Sequence, residues 1–146
     1  MSYLVPLFIR KYILNVFGAK VKGVIHGNCT MLTSRLSLGQ NSFINRNCFI
    51  DNNAMVTIGN NCAIGYNVVI VTTNHLMECS SKRGGKVCPL PVEIQDGCWI
   101  GANSTILPGT VIQKGCVIAA GSVVRGICDT NCLYAGVPAR IIKRLN

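Results

Sequence analysis

Every sixth residue along most of this chain is Leu, Ile or Val. The series runs Leu38, Ile44 and Ile50, then slips by two and resumes as Ile58, Ile64 and Ile70. It returns as Ile94, Ile100, Ile106, Ile112, Ile118 and Val124. Four residues beyond each aliphatic stand Ser42, Cys48, Ala54, Cys62, Val68, Asn74, Cys98, Ser104, Thr110, Cys116, Ser122 and Cys128, ten of them Ser, Cys, Ala or Thr. A period of six matches neither the 3.6-residue helical turn nor the alternation of two in a long strand. Short straight segments joined by sharp corners do satisfy it. Each segment turns one aliphatic and one small side chain inward, and stacked coils bury a continuous column, the signature of a parallel β-helix. Gly39, Gly59, Gly65 and Gly101 follow aliphatics, and Asn45 and Asp51 do the same, as tight corners prefer.

Composition narrows the class further. The 146 residues suit one domain. At 49% hydrophobic and 13% charged, the chain buries too much apolar surface to be disordered. No apolar run reaches the roughly 18 residues of a membrane span. The nine cysteines do not form an even secreted framework, and no CxxC pair occurs. Cys48, Cys62, Cys98, Cys116 and Cys128 fall in the small inward position, where Cys interchanges with Ser, Ala and Thr and acts as a compact filler. Cys29, Cys79, Cys88 and Cys132 lie outside that pattern. The net charge of +9 raises nucleic-acid binding. Its Lys and Arg residues are scattered, however, without a recognition motif or an aromatic platform.

Tyr3 to Phe17 is apolar but carries Arg10 and Lys11 in its middle, which excludes the uncharged core of a signal peptide. Without a signal, the expected compartment is the cytoplasm. Leu4, Leu7, Phe8, Ile13, Leu14 and Phe17 are loosely helix-spaced, and Gly18 suits a stop. A short helix packing on the domain or on a partner subunit is the reading adopted. A basic amphipathic helix on a membrane surface through residues 3–17 is the alternative. The domain plan is a single unit over 1–146: a helical segment at 1–20, a β-helix at 24–135 and a C-terminal cap at 137–146. The cap is expected to be helical, because Pro138 can start a helix and Ile141, Ile142 and Leu145 share a face.

The repeat breaks between Ile70 and Ile94. Continuing it would put Leu76, Lys82 and Cys88 inward and Lys86 in a small slot, and an unpaired lysine in a thin apolar column is costly. The chain therefore leaves the coil near Asn74 and returns near Pro91-Val92-Glu93-Ile94, an excursion over 74–92. Ser80 to Lys86 reads as exposed and flexible. Long loops on rigid scaffolds concentrate function. His75 stands at the exit, and an imidazole titrating near neutrality can deprotonate a hydroxyl or an amine. His26, the only other histidine, has no such setting.

Four segments carry a family resemblance: Ile94-Gln-Asp-Gly-Cys-Trp-Ile-Gly101, Ile106-Leu-Pro-Gly109, Ala119-Ala-Gly-Ser-Val123 and Gly136-Val-Pro-Ala-Arg-Ile-Ile142. With the hexapeptide series and the Asn74-His75 pair, they resemble the hexapeptide-repeat acyltransferases. The nearest branch is that of the maltose, galactoside and surface-polysaccharide O-acetyltransferases. The resemblance covers roughly residues 36–146. It implies an all-β, left-handed parallel β-helix, a homotrimer and active sites in clefts between subunits. Handedness comes from the family alone, since parallel crossovers are otherwise right-handed.

By the same resemblance, His75 is the catalytic base, and Asn45, Asn53 and Asn74 bind the acceptor. Trp99 meets the thioester arm of coenzyme A, and Ala102 and Ala120 contact its pantetheine. Arg125, Arg140 and Lys143 meet its phosphates. Acetyl-CoA is then a cosubstrate, with no tightly bound cofactor and no metal. The acceptor is a hydroxyl of a sugar or saccharide intermediate. A serine- or amine-directed acetyltransferase, or an inactive trimeric scaffold, remains open. The chain departs from the sugar acetyltransferases in its short N-terminal segment and in Gly84-Gly85-Lys86-Val87, where some relatives carry an acidic side chain. The β-helical carbonic anhydrases need three histidines for zinc, and this chain has two.

Overall fold

The computed structural model describes residues 6–146. Six coils stack on one another; the first five contribute a strand to each of three faces, and the last to two of them. The first coil comprises β1 (Lys20–Val21), β2 (Val24–Ile25) and β3 (Thr30–Met31). The second comprises β4 (Leu36–Leu38), β5 (Phe43–Ile44) and β6 (Phe49–Asp51), and the third β7 (Val56–Ile58), β8 (Ala63–Ile64) and β9 (Val69–Val71). An antiparallel hairpin, β10 (His75–Met77) with β11 (Gly84–Val87), then projects from the stack. The fourth coil holds β12 (Val92–Ile94), β13 (Trp99–Ile100) and β14 (Thr105–Ile106). The fifth holds β15 (Val111–Ile112), β16 (Val117–Ile118) and β17 (Val123–Val124). The last holds β18 (Ile127–Cys128) and β19 (Cys132–Gly136), and β20 (Ala139–Arg144) folds back on β19.

All pairing between coils is parallel and in register, so the six-residue period becomes three inward columns. On the first face Val21, Leu38, Ile58, Ile94, Ile112 and Cys128 align. On the second, Ile25, Ile44, Ile64, Ile100, Ile118 and Tyr134 align. The third carries Met31, Ile50, Ile70, Ile106 and Val124. The twelve aliphatics of the repeat are all at most 1% exposed. Register also corrects the small-residue series: Val56, in line with Leu36 and Val92, fills the inward slot before Ile58, and Ala54 is only half-buried in the widened corner. Cys128 pairs with Ile112 and so fills an aliphatic slot, while Cys132 takes the small slot in line with Cys116. The turn between Val124 and Cys128 is two residues shorter than the standard corner, which shifts the pattern. Asn74 likewise is exposed on the hairpin rather than inward.

The small inward position has a polar task beyond filling space. Cys48 donates its thiol to the Gly65 carbonyl at 3.2 Å, Cys62 to Gln95 at 3.1 Å, Cys98 to Gln113 at 3.1 Å and Cys116 to Asp129 at 2.8 Å. Ser42 Oγ donates to Gly59 O at 2.6 Å and Ser104 Oγ to Ala119 O at 3.1 Å. Each therefore satisfies a corner carbonyl of the next coil, which a hydrocarbon of equal size would leave unpaired. Burial pushes the Cys128 thiol up to about 12 and raises that of Cys116.

Corner geometry follows a related division of labour. Gly59 and Gly101 sit where a Cβ would run into backbone of the following coil. Those glycines answer to close approach between coils. Left-handed backbone falls further along the corner, on Asn41, Asn61, Asn67 and Asn103.

The turns joining the first face to the second and the second to the third keep near-constant length. Variation collects at the edge that joins the third face back to the first. Between Ile50 and Ile58 the chain gains two residues, and buried Asn52 fills the widened corner. Its carboxamide accepts from the N–H groups of Leu32 and Thr33 and donates to Thr33 O. The hairpin leaves from this same edge, between Ile70 and Ile94. Insertions confined to one edge preserve the stacking of the other two.

At the N-terminal end, α1 (Leu7–Val16) packs on β1 and β2, and Gly18 ends it at φ +95° as the sequence predicts. Tyr3 and Leu4, included in the predicted segment, lie outside the described residues. At the other end the expected helix is a strand. β20 pairs with β19 from Cys132↔Arg144 to Gly136↔Ala139, with Val137-Pro138 in the turn. The open edge of β19 offers unpaired backbone groups, and the β-branched Ile141 and Ile142 favour a strand there. Arg140, Lys143 and Arg144 then keep the new outer edge charged.

Candidate functional site

A cleft of about 610 Å³ runs along the second face. Register explains its shape. The outward residues of successive strands are Phe43, Ala63, Trp99, Val117 and Leu133, so Trp99 rises between two small neighbours. Beside them the corner residues Gly65, Gly101, Ala119 and Ala120 leave the floor low. Asn45 and Tyr66 stand at the corners next to β5 and β8, and Ala102 continues the row after β13. The lining is mostly apolar, with few polar groups, as a site for an extended organic chain requires.

Of the predicted site residues, Asn45, Trp99, Ala102 and Ala120 line this cleft. Arg140 and Lys143 lie on β20, which extends the same sheet past β19. Both are exposed, so the cleft leads toward two cations. Trp99 is also exposed, its indole standing out from β13.

His75, Asn53, Asn74 and Arg125 belong to the other edge, where the third face returns to the first. Arg125 lies in the short turn between β17 and β18, apart from Arg140 and Lys143. His75 opens β10 and pairs with Val87. Its Nδ1 lies 3.0 Å from the Gly85 carbonyl oxygen. A carbonyl only accepts, so Nδ1 carries the proton and neutral His75 presents a bare Nε2. The ring is thereby held in one tautomer on an exposed hairpin.

Several contacts hold that hairpin. Asn74 Oδ1 accepts the His75 N–H at 2.9 Å, and Asn74 O accepts Cys88 N–H at 2.8 Å. Glu78 Oε1 accepts Lys86 N–H at 3.1 Å, while Arg83 donates to Glu78 O at 3.1 Å. Asn53 Nδ2 donates to Thr73 Oγ1 at 2.8 Å, which ties the widened corner to the hairpin root. Ser80 to Lys86 is therefore an ordered turn and strand, not a free loop, because Glu78 closes it internally.

Sequence reasoning did not find Tyr66, Gly85 or Glu78. Tyr66 could have been found, since it stands one repeat ahead of Ala102 in the coil register. Gly85 and Glu78 act through contacts across an antiparallel turn that the hexapeptide period does not describe.

Comparison with known proteins bears on the whole arrangement. Residues 91–126 match the model for bacterial transferase hexapeptide (six repeats), and residues 55–73 that for the hexapeptide repeat of succinyl-transferase. A maltose O-acetyltransferase from Clostridium difficile superposes with a TM-score of 0.86 at 32% identity, covering 94% of this chain and 75% of that one. A hexapeptide-repeat acetyltransferase from Vibrio cholerae, solved with acetyl coenzyme A, gives a TM-score of 0.82 at 26% identity over 99% of this chain and 81% of its own. The galactoside O-acetyltransferase of Escherichia coli is 35% identical over 113 residues, 77% of this chain and 56% of that protein. The chain spans about half the length of the curated relatives it matches. It shares with these structures the left-handed parallel β-helix. On coil register, hexapeptide motifs and this likeness together, the chain belongs to the hexapeptide-repeat acetyltransferase family.

Proposed function

We propose that this protein transfers an acetyl group from acetyl-CoA to a hydroxyl of a sugar or saccharide intermediate, with His75 as general base. The observation that carries the reading is the His75 ring. Its Nδ1–H is held by Gly85 O at 3.0 Å, leaving Nε2 free to take a proton. Nε2 removes the acceptor hydroxyl proton as that oxygen attacks the thioester carbonyl carbon. The carbon–sulfur bond then breaks, and the imidazolium returns the proton to the departing thiolate. General base help of this kind is worth about 10²–10⁴ in rate. The Ala102 backbone N–H serves the developing oxyanion.

Coenzyme A fits the second-face cleft. Its pantetheine arm lies over Ala102 and Ala120 beside Trp99, and its phosphates meet Arg140 and Lys143, with Arg125 reaching them from a second subunit. The acetyl-CoA complex of the Vibrio relative supports the cosubstrate, and the maltose and galactoside relatives support a sugar acceptor. Asn45, Asn53 and Asn74 hold the acceptor.

Within one chain, the cleft and His75 lie on different sides of the coil. A neighbouring copy resolves this by bringing its His75 hairpin against the Trp99 cleft, so the working unit is a homotrimer with sites between subunits. None of the nine cysteines, all among the described residues, is in a disulfide, which suits the cytoplasm.

Release of free thiol from acetyl-CoA, measured across sugars, amino acids and amines, tests the reading. A sugar should accelerate release, while acceleration by serine or amines alone would reassign the acceptor. Mixing the inactive variants His75→Ala and Trp99→Ala tests the shared site. Random reassembly leaves about one quarter of interfaces with both residues intact, and activity should return to that level. No recovery from a mixed trimer would place both residues in one subunit's site.

A further inference from the structure

We propose that the helix-bearing end of the solenoid docks on an anionic lipid surface. The helix is held firmly from below. Asn15 donates to Val21 O at 3.0 Å and accepts Val21 N–H at 2.7 Å, and Lys11 donates to Lys22 O at 2.7 Å. Arg10 is buried, and Leu14 packs on the core. The opposite side is apolar and bare. Phe8 is 73% exposed, Tyr12 71% and Phe17 73%, and Val16 is exposed with them. Positions 8, 12 and 16 recur every four residues and therefore form one stripe along α1. This helix is amphipathic in the inverted sense, with its large aromatics turned to the outside. Contiguous apolar surface of this kind marks a contact with another body.

Charge selects the body. Six of the 14 Lys and Arg residues, and none of the five Asp and Glu residues, occur before residue 51. The helix and first two coils thus form a cationic end whose one carboxylate, Asp51 at the end of β6, is buried, while Lys11, Lys20, Lys22 and Arg35 are exposed. A second copy of the same end would meet like charge and find no acidic partner. An anionic bilayer supplies both requirements at once. Its interface takes the Phe and Tyr rings to headgroup depth, and its phosphates meet the lysines. Ten helical residues are about 15 Å long. Among the described residues no helix is long and apolar enough to cross a membrane. The contact is therefore with the surface, and α1 lies in its plane.

Flotation of the whole protein with phosphatidylcholine vesicles, with and without phosphatidylglycerol, tests this at low and high salt. The protein should float with the phosphatidylglycerol vesicles at low salt, and less so as salt rises. Phe8→Ser, Tyr12→Ser and Phe17→Ser combined should abolish flotation while leaving thermal unfolding unchanged. Each lysine neutralised among Lys11, Lys20 and Lys22 should weaken partitioning roughly fivefold. Failure to float, equal flotation on phosphatidylcholine alone, or undiminished flotation of the triple variant would overturn the proposal. Tight binding of polyglutamate that the triple variant also loses would instead assign the end to an acidic protein partner.

Discussion

Replacing His75 by Ala separates chemistry from folding more cleanly than any other change in this molecule. The side chain is exposed, and its one hydrogen bond is the Nδ1–H contact to Gly85 O at 3.0 Å. A net intramolecular hydrogen bond contributes about 0.5–1.5 kcal/mol, and an exposed one sits at the low end. The hairpin keeps its backbone pairing and the Glu78 closure, so unfolding should move by less than about 1 kcal/mol. On the chemical side, loss of a general base lowers the rate by about 10²–10⁴. That is roughly 3–5.5 kcal/mol of transition-state stabilisation. Thiol release at saturating acetyl-CoA and thermal unfolding, measured on the same preparation, read the two quantities. Binding of coenzyme A should survive, since the cleft lies on another face. His75→Gln should be equally slow, because a carboxamide can keep the bond to Gly85 but offers no base. Turnover within tenfold of the parent, or collapse of the fold alongside turnover, would refute this reasoning.

Other consequences concern the column. Ile100 is fully buried between Ile64 and Ile118 in register, so Ile100→Ala leaves a cavity walled on both sides and should cost about 4 kcal/mol in denaturant unfolding. Cys98→Ser keeps the donor to Gln113 O and should fall within about 1 kcal/mol of the parent, whereas Cys98→Val strands that carbonyl and should cost about 1–3 kcal/mol. The fold favours the neutral Cys128 thiol, whose value rises from 9.0 to about 12 on burial. Its contribution to stability is therefore whole below pH 9.0 and drains as pH climbs toward 12. An alkaline titration should show unfolding and thiol reactivity toward a disulfide reagent appearing together in that window.

The lessons for reading such a chain lie in particular residues. Ile44, Ile64, Ile100 and Ile118 announce their burial by spacing alone, because every coil repeats the same local requirement. Cys128 does not, since a turn shortened by two residues moved it from the small slot to the aliphatic one. The C-terminal segment is ambiguous in sequence because Ile141, Ile142 and Leu145 fit either a helical face or a strand, and the bare edge of β19 settles the choice. His75 was visible as the residue at the point where the period fails. Gly85 was not, because its carbonyl acts across a turn ten residues away in sequence.

Sequence alone therefore determined the coil, its inward aliphatic and small positions, and the place where the chain departs from them. These depend on interactions that recur every six residues and leave a periodic trace. Tertiary structure alone decided which coils face one another and which tautomer His75 holds. It also decided that the cleft and the base stand on different sides of one chain. Those outcomes arise from contacts between residues far apart in sequence, and such contacts impose no period on the chain that makes them.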